Sequence, residues 1–386
     1  MGIFDGYFFL MAAFLFLWMI RKTFTWILLL ILPSLAFGQV INTATMDTVG
    51  TTVIGRVGIG GYVDSYYGYN FSKPANGTNP YFVSSARHNE VTINLAYVDV
   101  RYRSTYMRAR FVPGFGTYMD SNYKNEPGSL KNMVEANVGV LISEKKKIWI
   151  DIGVLGSPYT NESAISKDHL MYTRSFAPEN VPYYVTGARL SVPVSRKLNA
   201  YFYVLNGWQV IQDNNSGKSI ATQLEYRPNN NMLFNWTTYL GDERSSKHPD
   251  FRMRYFNDFY WIYKPAGKFS ATSCFYFGYQ QKDGASTASW WQANFIGNYA
   301  FNSVVSLSGR IEYFNDTGAV YTTTITGVPG FRTSSVGTCI NFKLHRLALL
   351  RFEARRFLSL ENVYLDDKGN PTNESILLVG SLTAWF

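Results

Sequence analysis

Cysteine, histidine, charge and long apolar runs are all scarce in this 386-residue chain. Only Cys274 and Cys339 occur, so no disulfide framework can hold the fold together. The strand assignment below puts them three strands apart, which disfavours a bridge; they read as two small residues facing the interior. Charged residues make up only 16% of the chain, too few for the Glu- and Lys-rich surface of a helical protein. There are four histidines: His88, His169 and His248 in long connections and His345 at a tight turn. No HxxxH or CxxC spacing occurs, and neither a GxSxG elbow nor a phosphate-cradling glycine loop is present. Metal and nucleophile chemistry therefore have no residues in the usual pattern, no cofactor is implied and an enzyme is not expected. After residue 38 no stretch approaches the roughly 18 apolar residues of a membrane-spanning helix.

Aromatics are abundant instead, at 17%, with 28 Tyr, 28 Phe and 9 Trp, and there are 31 Gly. These are strand and turn formers. The apolar runs that do occur are N-terminal, "YFFLMAAFLFLWMI" and "TFTWILLLILPSLAFG". Between them Met19 is followed closely by Arg21 and Lys22, then an apolar stretch, then the small residues Ala36 and Gly38. That is the layout of a secretory signal. Residues 1–38 are expected to be a signal-peptide region with the true start at Met19 and cleavage before Gln39, leaving 39–55 as a short periplasmic segment. A two-helix membrane anchor is the alternative, although each run is short for a span of about 20 residues.

From Arg56 onward, segments of about 10 to 15 residues alternate apolar and polar positions, the period of a strand. About sixteen are counted, at 56–71, 90–104, 105–118, 131–143, 146–156, 183–194, 197–208, 218–227, 231–242, 251–264, 268–282, 289–301, 302–316, 331–343, 346–357 and 373–386. Long and tight connections alternate between them. A sandwich has no reason to sort its loops in this way, whereas a barrel crossing an outer membrane does. The expected fold is all-β: a transmembrane antiparallel up-and-down β-barrel of about sixteen strands, with fourteen or eighteen as alternatives. Short turns would face the periplasm and long loops the outside, both termini being periplasmic. The chain ends on "SLTAWF", an alternating run that reads as the closing strand, with Phe386 toward lipid. Tyr66, Tyr67, Tyr69, Trp208, Trp261, Tyr263, Trp290 and Trp291 fall near strand ends, where interfacial girdles belong.

Charges on spanning strands cannot face hydrocarbon cheaply, so their parity marks the lumen. In "YMRARF" Arg108 and Arg110 turn inward, and in "RMRYFNDFYWIY" Arg252, Arg254 and Asp258 do so. Arg310 and Glu312 form another inward pair, and Arg351, Glu353 and Arg355 an inward row. Asp64, Glu135, Asp151, Arg189 and Glu225 follow the same rule. In "INLAYVDVRYR" Asp99, Arg101 and Arg103 turn inward, but Ile93 and Leu95 then require a bulge or a narrowed lumen. These rows could select permeants by charge or brace the wall as ion pairs. The longest connection, 157–182, is the candidate constriction loop, with Asn161, Glu162, Lys167, Asp168, His169 and Arg174; an external flap is the other reading.

"YVDSYYGYN", "YTRSF…VPYYVTGARL", "NGWQVIQDNN", "RIEYFNDTGAV" and "RFEARR" resemble the OmpL-like β-barrel porin family of Bacteroidetes outer membranes, over residues 56 to the end. By resemblance, Trp385 and Phe386 look like the aromatic signal that the barrel assembly machinery of Gram-negative bacteria reads. The expected function is passive diffusion of small hydrophilic solutes through an arginine-rich lumen. The alternative is a loop-occluded structural or accessory barrel of a larger outer-membrane assembly. The implied partners are outer-membrane lipid and lipopolysaccharide, the assembly machinery and the solutes, with a homo-oligomer left open; nucleic acid is not among them.

Overall fold

The computed structural model describes residues 52–386. The expected signal region, its start at Met19 and cleavage before Gln39, and most of the 39–55 segment lie outside these residues.

Sixteen antiparallel strands form one closed barrel. They are β1 (Val57–Asn70), β2 (Val91–Arg103), β3 (Met107–Phe115), β4 (Met133–Ser143), β5 (Ile148–Gly156), β6 (Tyr184–Pro193), β7 (Leu198–Leu205) and β8 (Ser219–Asn229). The second half comprises β9 (Met232–Asp242), β10 (Phe251–Tyr263), β11 (Phe269–Lys282), β12 (Ala288–Ala300), β13 (Val305–Asp316), β14 (Phe331–His345), β15 (Ala348–Ser359) and β16 (Glu374–Trp385). Each strand pairs with the next, and β16 returns to β1 in register from Leu377↔Asn70 to Trp385↔Tyr62. Phe386 and Gly61 then exchange backbone hydrogen bonds of 3.0 Å in both directions, so the seam has no free edge, as hydrocarbon demands. A short piece, Thr52–Ile54, folds back on the start of β1 through a left-handed Gly55.

Alternation follows from what each side touches. On β16, Ile376, Leu378 and Leu382 are exposed on the outer face, while Leu377, Val379, Ser381 and Thr383 are buried on the inner one. The two ends differ. At one, connections such as 104–106, 194–197 and 346–347 are tight; at the other lie the loops L1 (71–90), L2 (116–132), L3 (157–183), L4 (206–218), L7 (317–330) and L8 (360–373).

The loops fold inward and give the barrel a core. Phe176 of L3 packs against Phe82 of L1 and, from the strands, Phe314, Phe331 and Phe357, with ring centroids 5.4–6.0 Å apart. Trp208 of L4 stacks on Tyr159 of L3 and meets Trp290 and Tyr321. This overturns part of the expected girdle, because Tyr66, Trp208 and Trp290 sit inside the loop-end core. Periodicity cannot separate an inward ring at a strand end from a girdle ring, since both lie near the same boundary. Trp291, by contrast, is exposed on the outer face.

The irregularity foreseen in β2 is a bulge. The register with β1 slips between Asp64 and Ser65, so Asn94 and Leu95 both turn inward while Ile93 stays outside. Leu95 is buried in a second cluster with Tyr62, Tyr97 and Tyr118. A further slip between Phe251 and Arg254 corrects the placement of Arg252. Phe251 takes the buried position, and Arg252 stays at the loop rim, bonded to the carbonyls of Pro249 and Phe251 and paired with Asp283. Arg252 is thus not part of the lumen wall.

Candidate functional site

The inward charges divide between two walls. The first lies toward the tight-turn end of β2–β6. Arg101 and Arg110 face each other in register, and both present their Nε–Nη2 edge to Asp99. Arg110 spans its two oxygens, Nε to Oδ1 at 3.1 Å and Nη2 to Oδ2 at 2.7 Å; Arg101 donates to Oδ2 at 3.0 and 2.6 Å. Arg110 Nη1 also reaches Glu135 at 3.0 Å.

Two residues along β3 the pattern recurs. Arg108 spans Asp151 with two bonds of 2.6 Å, and Arg189 donates to Asp151 Oδ2 through Nε and Nη2 at 3.2 and 3.1 Å. Arg108 reaches Asp151 by crossing β4 at Gly139, where a Cβ would lie 2.2 Å from Asp151 Oδ1. Its guanidinium stacks over Trp149 at 4.5 Å, an attraction that helps fix its plane. Arg103 lies exposed at the turn end, in register with Arg108. Glu225 is buried beneath Arg227, whose Nε donates to it at 2.8 Å. Arg227 is absent from the expected residues because the sequence assignment ends the strand there, although it shares parity with Glu225.

The second wall, β13–β16, is covered by L3. Arg310 donates to Glu353 at 2.9 Å and to the Thr173 carbonyl at 2.7 Å, and pairs with Glu312 at 3.2 Å. Glu353 accepts the Tyr172 and Thr173 amides at 2.8 and 2.9 Å. Glu312 accepts the Phe176 amide at 2.6 Å and pairs with Arg355, which donates to the Arg174 carbonyl at 2.8 Å. Arg351 donates to the carbonyls of Ser166 and His169 at 2.7 and 2.8 Å. This row therefore holds a loop and not open water.

L3 runs the depth of the lumen. Its tip, around a 3-10 turn at Ser166–Asp168, reaches the tight-turn end, where Lys264 donates to the Asp168 carbonyl at 2.9 Å. Lys167 pairs with Asp168 at 2.8 Å and lies over the Trp385 ring at 5.5 Å. His169 Nε2 accepts the Ser163 amide at 2.8 Å. Arg174 braces the loop from within through the carbonyls of Ser163 and Ala164, both at 2.6 Å. Glu162 accepts the Ser175 amide at 2.9 Å, and Asn161 bonds Thr272 and Asn294 at 3.0 and 3.1 Å.

The remaining expected residues are dispersed. Asp64 accepts from Asn94 at 3.0 Å and Thr383 at 3.1 Å. Asp258 accepts the Thr160 amide at 3.0 Å and lies 3.2 Å from the Cys274 thiol. Arg254 bonds Gln280 at 2.9 Å and lies over Trp208 and Tyr321 at 4.9 and 5.0 Å, within the aromatic core. Both cysteines are buried and unpaired. No group of metal-ligating residues occurs among the described residues.

Glu179 lies in L3 beyond the expected residues 161–174, in the short helix Phe176–Glu179. It ties L3 to L1, accepting the Val83 and Ser84 amides at 2.7 and 3.3 Å and the Tyr183 hydroxyl at 3.1 Å. Burial pushes its carboxyl up to about 7, against those hydrogen bonds and nearby Arg174, which favour the charged form. A carboxyl raised on folding binds more protons in the folded state, so its contribution improves as pH falls from about 7 toward the ordinary carboxylate range. Amide protection at 83 and 84, corrected for intrinsic exchange rates, should rise from pH 8 to pH 5. Glu179→Gln should flatten that rise; an unchanged slope in the variant would assign it elsewhere.

The sequence profile of a family described as "Putative beta-barrel porin-2, OmpL-like" matches residues 56–386. No curated protein matches the sequence. Among solved structures, an anion-selective porin from Comamonas acidovorans aligns with TM-score 0.58 at 8% identity, covering 86% of this chain and 99% of that one. The outer membrane channel DcaP of Acinetobacter baumannii aligns with TM-score 0.57 at 9% identity, covering 86% and 97%. A trimer form of OmpT, an outer membrane protein of Vibrio cholerae, aligns with TM-score 0.54 at 9% identity, covering 86% and 99%. At such identities the likeness is one of fold.

Proposed function

The chain belongs to the OmpL-like β-barrel porin family, and from that membership we propose that it is a narrow outer-membrane porin for small hydrophilic solutes, with a preference for anions. The tight turns face the periplasm, as do both termini, and the long loops face outward. The observation that carries the anion preference is an asymmetry of exposure. The Arg101, Arg108 and Arg189 side chains remain 20%, 20% and 16% exposed, while the carboxylates that orient them, Asp99 and Asp151, are 0% and 1% exposed. Solute in the lumen thus meets guanidinium first, with the balancing charge behind it in the wall. The fold shared with the anion-selective porin from Comamonas acidovorans is consistent with this reading.

The outer band of Phe, Leu and Val meets lipid, and lipopolysaccharide adjoins the loop end. Trp385 and Phe386 serve as the signal for barrel assembly, and the trimeric relative makes a homo-oligomer the natural state to look for. A second reading, an accessory barrel that does not conduct, draws on the aromatic loop core around Phe176 and Trp208.

Planar bilayers under a salt gradient test both. The expected result is a small steady conductance whose reversal potential has the sign of anion preference. Arg108→Gln with Arg189→Gln should move that potential toward zero. Insertion without current would favour the accessory reading, and a cation-selective current would sink the anion preference.

A further inference from the structure

The two arginine pairs around Asp99 and Asp151 are copies of one arrangement. In each, one guanidinium spans the carboxylate and a second donates through Nε and Nη2 to Oδ2. Both spanning arginines, Arg108 and Arg110, stand on the lumen side of β3 two residues apart, about 7 Å along the strand. We propose that these four arginines form a subsite for a small oxyanion with two negative charges, of the phosphate, sulfate or short dicarboxylate class. The proposal deepens the anion-porin reading and rests on it.

A carboxylate offers about four acceptor directions, and each aspartate already receives four N–H bonds from its own pair. The aspartates are therefore saturated, and their effect on a solute is to orient the guanidiniums and not to compete for it. Asp151 engages only Nε and Nη2 of Arg108, and Arg189 also meets the Tyr203 hydroxyl. Both guanidiniums are also held against rings, Arg108 over Trp149 and Arg189 over Tyr201 at 4.5 and 5.9 Å. Guanidiniums fixed beforehand lose little freedom when they bind, and their forked donors match an oxyanion better than a spherical halide. Four guanidiniums against Asp99, Asp151 and Glu135 leave the patch a net positive charge.

Isothermal titration of the detergent-folded chain with sodium phosphate at pH 8, in chloride-poor buffer, is the test. Saturable binding is expected, weakened about tenfold or more in Arg108→Gln and Arg189→Gln. It should be unchanged in Arg356→Gln, whose side chain pairs with Glu374 on the outer face. Heat-modifiable electrophoretic mobility reports folding. Should Arg108→Gln not fold, Arg108→Lys keeps the charge beside Asp151 and loses the fork, with the same loss of binding expected. Succinate titrated in parallel separates a dicarboxylate site from a tetrahedral-anion site, and saturable binding of either supports the proposal. Heats that do not saturate, or that persist in both arginine variants, overturn it. Saturable binding by a chain that passes no current leaves the subsite standing and removes the porin reading. Anion-selective current without saturable binding removes the subsite alone.

Discussion

Glu353→Gln should raise single-channel conductance severalfold without preventing barrel closure. Glu353 is fully buried against its partners: it accepts the amides of Tyr172 and Thr173 and the Thr173 hydroxyl, and it pairs with Arg310. The amide replacement presents an N–H2 group where backbone donors already point and removes the charge that Arg310 faces. Breaking one side of a buried ion pair costs roughly 3–5 kcal/mol. At about 1.4 kcal/mol per tenfold, that shifts a closed-to-open loop equilibrium by about a hundredfold or more. The loss falls on L3, because the ladders that close β15 onto β14 and β16 are backbone pairs that Glu353 does not make. Conductance in planar bilayers and sugar entry into liposomes would read it. Glu374→Gln, at an exposed ion pair on the outer face, should change neither. A folded Glu353→Gln barrel with wild-type conductance would show that L3 does not limit the path.

How far the sequence discloses this arrangement depends on whether a residue's partner lies next door or across the chain. Strand bounds were legible because each spanning segment meets two fixed media, so β11 is expected at 268–282 and found at Phe269–Lys282. Inward parity was legible for the same reason: Arg310 and Arg355 are buried, and Arg108 and Arg110 pair with the buried Asp151 and Asp99. Bulges broke the rule locally, at Asn94 in β2 and beside Arg252 in β10, since one extra residue reverses every later side chain. What the charges do was not legible. Arg108 and Arg351 share strand parity, yet one is partly exposed and paired with Asp151 while the other is buried and holds the carbonyls of L3. The difference lies in bonds to residues about 180 positions away, and L3 has no periodicity to announce its path. The inward turn of Trp208 and Trp290 was hidden likewise, because a ring at a strand end fits either a girdle or a loop core.

Deletion of Phe386 should reduce folded barrel in the outer membrane by about tenfold or more, because its backbone completes the seam. Its N–H and C=O both pair with Gly61, and an unsatisfied group facing hydrocarbon costs several kcal/mol. The ring adds a steric condition, for it lies on the outer side of Gly61, where a Cβ would come within 2.2 Å of it. Gly61→Ala should be mild, since the ring can swing aside, whereas Gly61→Val should force it off the seam and lower the folded yield. If displacement of the ring is the cause, Gly61→Val in a Phe386→Ala background should cost less than the sum of the two single changes, as coupled neighbours do. Heat-modifiable mobility of membrane-extracted protein measures each yield. Full additivity would separate the two residues, leaving the glycine to local strand geometry and Phe386 to its backbone hydrogen bonds with residue 61.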